Sequence, residues 1–439
     1  MRLIAAAIAT TFVLAAAALS LGGPGNGRVG RTSTARAAVV PELPPPNAPT
    51  VERLAALRAI VRADPGRVDG WTLLAAAELQ RLRETGDASS YDRAQRAVQR
   101  ALALRPGDQG ALTERAALDL SRHDFVAGLR DATAAHRIDP TVVAPYGPLI
   151  DANVELGRYA QAERLAQEAA DRRPDLAVMA RVSYLRELRG DRVGALSALR
   201  AALSAGGEVP ESTAFVSTLI AGLQLQTGHI AAARLAAREA LHIFPGYPAA
   251  ENALARSQAA EGNIGAAIAR MRALVDQLPL PEHVTLLGEL ELAAGRRAAA
   301  RDDLALVDVE RRLQRRAGVI TDTEAAIFAA DHGSAPAAIA AARRAWAAAP
   351  SVRSADALGW ALTRGGNPRA GLWWARRALA RGWRDPLATS HAGLAAAAAG
   401  QERAARRWLT EAARGGAALG PWQAARVRHA LSALDGAQR

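Results

Sequence analysis

Small and apolar residues recur at helical spacing along most of the chain, in pairs of segments separated by a glycine. In residues 146–174 two helix-length patterns flank Gly157. In the second segment, Ala162, Ala166 and Ala169 follow each other at i, i+4 and i+7, which places them on one face of a helix. Small residues on that face let another backbone approach closely. The pattern therefore predicts a helix–turn–helix hairpin that must pack on neighbours to bury its faces.

The hairpin pattern repeats with a period near 34 residues. Five residues after and seven residues before each turn glycine, small residues hold fifteen of the sixteen positions. A small residue in the first helix then faces one near the start of the second, so the two helices pack closely and antiparallel. The glycine caps the first helix, and a proline ends the second. The turn glycines are Gly157, Gly190, Gly228, Gly262, Gly295, Gly333, Gly366 and Gly400.

This repeat resembles the tetratricopeptide repeat. The matching residues, within roughly residues 50–430, are Trp71 with Leu74 and Ala75, Tyr146, Leu287 with Gly288, Leu358 with Gly359, the phased alanines and the closing prolines. The tail from Asp356 to Gly400 is similar to that of long exported tetratricopeptide-repeat proteins of bacteria. The resemblance implies an all-α fold, an α-solenoid of about ten repeats, with a concave groove lined by the first helices. In this family the groove usually binds proteins or peptides, and the resemblance implies no catalysis and no cofactor.

The start and end of the repeat pattern predict how the chain is divided. The predicted segments are a signal peptide or N-terminal anchor with its processing region at 1–37, a proline-rich linker at 38–49, an N-terminal capping helix at 50–65, the solenoid at 66–420, and a C-terminal capping helix with a tail at 421–439.

The N-terminal residues have the pattern of an export signal. Arg2 is followed by 19 residues without a charge, which is typical of a secretory signal peptide. The apolar run is also long enough to span a bilayer, so an uncleaved anchor is the alternative. Arg28, Arg31 and Arg36 fit poorly with an anchor that keeps its N-terminus inside. We therefore expect an exported protein of the bacterial cell envelope, periplasmic or extracellular, in contact with a membrane only if this segment is uncleaved.

Charge and tryptophan are concentrated at the C-terminal end. Residues 340–439 contain sixteen arginines against five acidic residues, so they account for +11 of the net charge of +12, and they hold seven of the eight tryptophans. All 55 basic residues are arginine, which indicates the codon bias of a GC-rich genome, and we do not expect nucleic acid from the total charge alone. The uneven distribution nevertheless gives an alternative function, binding of a polyanion (nucleic acid or an anionic envelope polymer) through the C-terminal third.

No motif for catalysis or metal binding accompanies the repeats. The chain has no cysteine, and none of its eight histidines has the helical spacing with a carboxylate that a zinc site would need. It also lacks a nucleophile elbow and a phosphate-binding loop. We therefore expect no enzyme activity, no metal and no cofactor. The cluster of Arg311, Arg312, Arg315 and Arg316 alternates with acidic residues, which favours a solvated helix face.

One set of residues is a candidate binding site. Arg353, Asp356, Trp360 and Arg364 fall at i, i+3, i+7 and i+11 on one stripe of a first helix, which in this repeat family lines the groove. A tryptophan flanked by guanidinium groups suits an aromatic group, an extended backbone or a carboxylate. The alternative is that Trp360 fills the groove against the next repeat, near Leu394. Capture of a peptide C-terminus is not implied, because family members that do this use lysine and the chain has none.

These observations predict a non-catalytic exported scaffold that binds a protein or peptide partner in its concave groove.

Overall fold

The computed structural model describes residues 42–207 and 209–436, so the predicted signal segment, part of the linker and the last three residues lie outside it. The described residues form 22 α-helices and no strand. Helix α1 (Thr50–Ala63) precedes ten helical hairpins, and α22 (Gly416–Gly436) follows them. The predicted all-α solenoid of about ten repeats is confirmed.

The first helices of the ten hairpins are α2 (Val68–Thr85), α4 (Gln109–Ser121), α6 (Tyr146–Glu155), α8 (Leu176–Leu188), α10 (Pro210–Gln226), α12 (Pro248–Ala260), α14 (Pro281–Ala293), α16 (Asp322–His332), α18 (Val352–Arg364) and α20 (Pro386–Ala398). The second helices are α3 (Ser89–Leu104), α5 (Phe125–Ile138), α7 (Tyr159–Arg172), α9 (Arg192–Ala205), α11 (Ile230–Ile243), α13 (Ile264–Gln277), α15 (Arg297–Arg316), α17 (Ala335–Ala348), α19 (Pro368–Leu379) and α21 (Glu402–Arg414).

Seven of the eight predicted turn glycines have a left-handed backbone conformation, and Gly333 is the exception. In the α4–α5 turn the same place is taken by His123, with φ at 63°. The imidazole Nδ1 of His123 lies 2.6 Å from the carbonyl oxygen of Ile320, in a loop nearly two hundred residues away. His123 therefore adopts a backbone conformation that is uncommon for residues other than glycine, and its side chain makes a long-range contact from this turn.

Helix pairs cross at the small residues that the repeat pattern singles out. A Cβ on Gly359 of α18 would lie 2.9 Å from both the carbonyl oxygen of Gly371 and the backbone nitrogen of Ala375, in α19. A Cβ on Gly288 of α14 would lie 2.6 Å from the Leu304 side chain of α15. Both crossings leave no room for a side chain, as the sequence predicts.

The second half of the chain packs against the first along a line of turns and loops, which we call the seam. The backbone N–H of Ile320 donates to the carbonyl oxygen of Arg122 at 3.0 Å, and that of Val352 donates to the Tyr159 hydroxyl at 2.7 Å. Farther along, Gly190 meets Gly382 so closely that a Cβ on either residue would overlap the opposite backbone. Each seam contact joins a hairpin turn to the loop that begins the sixth following repeat, so successive turns of the superhelix touch.

The inner side of the solenoid is largely filled. All ten residues of α6 are buried, and α22 lies against α10, α12, α14 and α20. At Gly420 the backbone of α22 leaves the helical region, with φ 75° and ψ 160°, and Pro421 begins its main helical part. The open groove that the resemblance implies is therefore occupied by α22 between α10 and α20. No helix of the described part of the chain is long and apolar enough to cross a membrane.

The prediction of a solvated arginine face on α15 is wrong for one of its members. Arg312, Arg315 and Arg316 are exposed, but Arg311 is buried. Its guanidinium donates to the carbonyl oxygen of Glu324 at 2.7 Å and lies 4.6 Å from the ring centroid of Phe328. Burial lowers the pKa of Arg311 to about 10. Contacts with the next repeat, which the helical pattern of α15 does not reveal, account for the difference.

Candidate functional site

Three helices meet at the carboxylate of Asp331, the penultimate residue of α16. Asp331 accepts hydrogen bonds from the Trp360 indole of α18 at 3.1 Å, and from Gln423 and Arg426 of α22 at 3.0 and 2.6 Å. Burial by itself would raise the pKa of Asp331, but the Arg426 guanidinium holds it below its usual value. The carboxylate is thus charged at neutral pH and faces the C-terminal helix. We call Asp331, Trp360, His391, Gln423 and Arg426 the Asp331 site.

Trp360 is packed on all sides. Its indole is 2% exposed and stacks on the imidazole of His391, with ring centroids 4.5 Å apart and an interplanar angle of 8°. His391 is fixed by its Nδ1, which lies 3.0 Å from the carboxylate of Asp356. The guanidinium carbons of Arg426 and Arg364 lie 4.9 and 5.7 Å from the Trp360 ring centroid. Trp360 therefore packs against the following repeat, as in the alternative interpretation, while it also supports Asp331.

The four residues predicted as a binding stripe divide into two groups. Trp360 and Asp356 are buried, Trp360 next to Arg426 of α22 and Asp356 next to His391 of α20. Arg364 is an exposed neighbour whose Nε donates to the carbonyl oxygen of Ala330 at 3.0 Å. Arg353 belongs instead to the seam, where it pairs with Glu324 at 3.5 Å. Burial would lower the pKa of Arg353, but the neighbouring Tyr184, Glu155 and Glu324 raise it.

The sequence pattern missed four members of the Asp331 site. They lie on three different helices, 29 to 66 residues from Trp360, and no periodicity links them: Asp331, His391, Gln423 and Arg426. The only signal was indirect, because Asp356 and His391 both belong to the tail stretch that resembles other exported repeat proteins.

Helix α22 is held by polar and aromatic contacts and by apolar packing on the last repeat, where Leu419, Val427, Leu431 and Leu434 join one hydrophobic cluster. Trp422 stacks on His332, with ring centroids 4.8 Å apart, and the His332 Nε2 lies 3.2 Å from the Glu289 carboxylate of α14. Only Leu419, Gln423 and Val427 of α22 are buried. Beside the Gly420 kink, small and apolar residues of α22 and of the α12–α13 turn line a cleft of about 390 Å³. The concave side thus presents acidic and aromatic groups to Arg426 and Trp422 of α22.

No group of three or more histidine, aspartate or glutamate side chains in the described part of the chain is placed to hold a metal ion.

The ten hairpins, their glycine turns and their small-residue crossings identify the architecture. The fold is a tetratricopeptide-repeat solenoid. Among solved structures, the chain is similar to TTC0263, a thermophilic tetratricopeptide-repeat protein of Thermus thermophilus, with 22% identity, coverage of 44% of this chain and 98% of that chain, and a TM-score of 0.38. It is also similar to a tetratricopeptide repeat protein of Parabacteroides merdae, with 14% identity, coverage of 65% and 98%, and a TM-score of 0.33. No protein-family model matches the chain, and no curated protein is significantly similar to it.

Proposed function

We propose that the chain is an exported, non-catalytic scaffold that binds a helical segment of a protein or peptide partner on its concave side, in the place that α22 occupies. The observation that supports this most directly is the docking of α22 itself. Helix α22 lies across the first helices with Arg426 bound to Asp331. A surface that accepts one such helix has the shape and charge for another, which is the helix-in-groove mode of recognition.

The chemistry of the site specifies the partner's contacts. Asp331 and Glu289 supply negative charge, and the His332 ring supplies a stacking surface. A partner helix would place an arginine at Asp331, where a buried charge-assisted hydrogen bond is strong. One helical turn from that arginine, the partner helix would place an aromatic residue that stacks on His332, as Trp422 does. The partner segment is therefore basic and aromatic on one face.

Displacement of α22 is compatible with how it is attached. Gly420 and Pro421 interrupt the helix, so the part after Pro421 can move as a unit about this point. This part buries one apolar residue fully, Val427, although Leu431 and Leu434 also pack partly against the last repeat. A partner must therefore replace the hydrogen bonds to Asp331 and an apolar contact with the last repeat that is centred on Val427.

The predicted stripe has distinct roles in this proposal. Trp360 and Asp356 form the floor that positions Asp331 and His391. Arg364 is exposed at the edge of the same site, where a partner can reach it. Arg353 stabilises the seam.

Export is supported by the uncharged apolar run after Arg2, and the lack of a recognisable catalytic or metal motif supports a scaffold.

A labelled peptide of residues 421–436 tests the proposal directly. In the wild-type protein the tethered α22 competes with the peptide, because a covalently linked segment has a high effective concentration. The variant Arg426→Glu with Val427→Asp removes two of its anchors and should release it. We expect the peptide to bind this variant roughly tenfold or more tightly than the wild type. Arg428→Glu alters an exposed residue of the same helix and serves as the matched control.

Two further measurements make the result specific. Adding Asp331→Asn to the released variant should weaken peptide binding, and a scrambled peptide should not bind. Circular dichroism must show that the released variant keeps its repeats folded. If the folded, released variant does not bind the peptide, the concave side is not a helix-binding surface and the proposal is wrong.

A further inference from the structure

The outer faces of α17, α19 and α21 form a basic surface on the opposite side from the Asp331 site, and we call it the convex basic face. Trp373 lies at its centre on α19 and is 57% exposed. Arg369, Arg376 and Arg377 lie four residues before and three and four after it, so the arginines surround the indole on one helix face. All three are exposed.

Neighbouring helices extend the positive charge. Arg343 on α17 is exposed, as are Arg403 and Arg407 on α21. Few acidic groups offset them. Asp322 of the adjoining α16 pairs with Arg344, Glu411 pairs with Arg414, and the exposed Glu402 at the start of α21 removes one unit of positive charge. No ion pair with a described carboxylate is formed by the six exposed arginines named above, so the face keeps a net positive charge.

Trp373 is held in its exposed position by a rigid base. Its ring meets Trp374 edge-on at 4.8 Å, and Trp374 meets Trp346 of α17 at 4.6 Å. The Arg377 guanidinium lies 5.0 to 5.9 Å from the centroids of all three rings. Two helices and one guanidinium therefore fix an indole that water surrounds on its outer side. Covering the apolar part of this ring with another surface would be favourable.

We propose that the convex basic face docks on an anionic lipid bilayer, with Trp373 in the headgroup layer and the arginines on lipid phosphates. Tryptophan favours the membrane interface, because its ring is apolar and its N–H finds polar partners there. Arginine side chains bind phosphate groups, and clusters of them are attracted to anionic leaflets.

The same features fit a nucleic acid less well. Binding of single strands uses successive exposed rings in a groove that follows the backbone. Of the three clustered tryptophans only Trp373 is exposed, while Trp346 and Trp374 pack on each other and on Arg377. A convex surface also does not enclose a strand. The docking is independent of the proposed partner site, which lies on the concave side, and it adds a membrane contact that does not depend on residues 1–37.

Sedimentation of the full chain with lipid vesicles tests the proposal. The probes are vesicles of phosphatidylcholine alone and of phosphatidylcholine with phosphatidylglycerol, at low and high salt. The apolar residues 1–21 are expected to associate with either lipid. The measured quantity is therefore the phosphatidylglycerol-dependent part of the binding, which is the binding to mixed vesicles in excess of that to phosphatidylcholine alone. We expect this part to exist at low salt and to fall at high salt, since exposed charges are screened.

Variants locate the contact. Arg369→Gln with Arg376→Gln should reduce the phosphatidylglycerol-dependent affinity roughly tenfold or more, and Trp373→Ala should reduce it further. Leu235→Ala removes an exposed apolar side chain from α11 and should change nothing. Hydrogen exchange should slow in α19 and α21 when vesicles are added. Equal binding of both lipids, unchanged affinity in the variants, or a Trp373-dependent preference for single-stranded DNA would overturn the proposal.

Discussion

Trp360 and His391 lie face to face, with their ring planes 8° apart, although they belong to first helices of successive repeats. The stack connects two further contacts, because the Trp360 N–H donates to Asp331 and the His391 Nδ1 contacts Asp356. Four side chains from α16, α18 and α20 are thereby held in one buried cluster. The cluster is both part of the core and the floor on which α22 rests.

Truncation of Trp360 should therefore destabilise the fold. Removing a buried aromatic side chain typically costs about 3–5 kcal/mol, and Trp360→Ala also leaves Asp331 without one donor. Trp373→Ala is the matched control, because that indole is 57% exposed and its loss should change stability by less than about 0.5 kcal/mol. Urea unfolding followed by circular dichroism measures both. Similar midpoints for the two variants would contradict the packing described for Trp360.

The burial of Trp360 decides which residue of the predicted stripe can test binding separately from stability. The sequence alone suggests that removing Trp360 and Arg364 together would weaken partner binding with little effect on melting. With Trp360 in the core, only Arg364 remains a residue whose removal tests binding without disturbing the fold. Whether the stripe contacts a partner stays a prediction.

A glycine crossing provides a second, independent prediction. Gly359→Ala puts a methyl group against the backbone of Gly371 and Ala375, so overpacking should cost about 1–3 kcal/mol. Gly222 of α10 is the control, because a Cβ there meets nothing within 4 Å. Gly222→Ala should instead stabilise the helix by about 0.5–1 kcal/mol. Thermal unfolding of the two variants should shift in opposite directions. If both variants shifted in the same direction, α18 and α19 would cross less closely at Gly359 than the structure describes.

Local features of the sequence predicted the hairpins well. The glycine turns and the crossings at Gly288 and Gly359 each depend on residues that are near each other in the chain. Periodicity reports such contacts, because it records which face of one helix meets its neighbour. The number of repeats followed from the same signal.

The seam could not be predicted in the same way. The contact between Tyr159 and Val352 joins residues 193 positions apart. It depends on the small rotation from each repeat to the next, which accumulates over six repeats and sets whether successive superhelical turns touch. The burial of Arg311 and the occupation of the concave side by α22 are further results of this geometry. No single repeat encodes them.

The buried carboxyl of Glu155 predicts a pH effect. Burial raises its pKa to about 7 from an ordinary value of 4.5; Arg353 opposes the rise, and Glu324 and Asp151 add to it. The folded protein therefore holds a proton that the unfolded chain has lost, so stability falls as pH rises through this window. Glu155→Gln should be more stable than wild type above pH 7, by on the order of 2 kcal/mol, and equally stable below pH 4.5.

Urea midpoints measured across this pH range test the effect. Glu239→Gln changes an exposed carboxyl of α11 and should leave the pH dependence as it is in the wild type. If Glu155→Gln shows the wild-type dependence as well, the Glu155 carboxyl is not protonated in the folded protein near neutral pH.

Export predicts a shortened chain. The uncharged run after Arg2 leads us to expect that the mature protein lacks at least residues 1–17, which N-terminal sequencing of the protein from cell envelopes would measure. Cleavage after Ala37 would remove four arginines and no acidic residue, so the net charge would fall from +12 to +8. An intact Met1 in that material would favour an uncleaved anchor.

The seam itself can be tested with two glycines of nearly identical backbone. Gly190 and Gly295 have φ values of 79° and 76°, so alanine at either position costs about 1–2 kcal/mol for the left-handed conformation. At Gly295 a Cβ meets nothing within 4 Å, but at Gly190 it overlaps the carbonyl oxygen of Gly382. Gly190→Ala should therefore lose more stability than Gly295→Ala. Amide hydrogens of the α19–α20 loop should also exchange faster in the Gly190→Ala variant. Equal losses and unchanged exchange would mean that successive turns do not touch in solution.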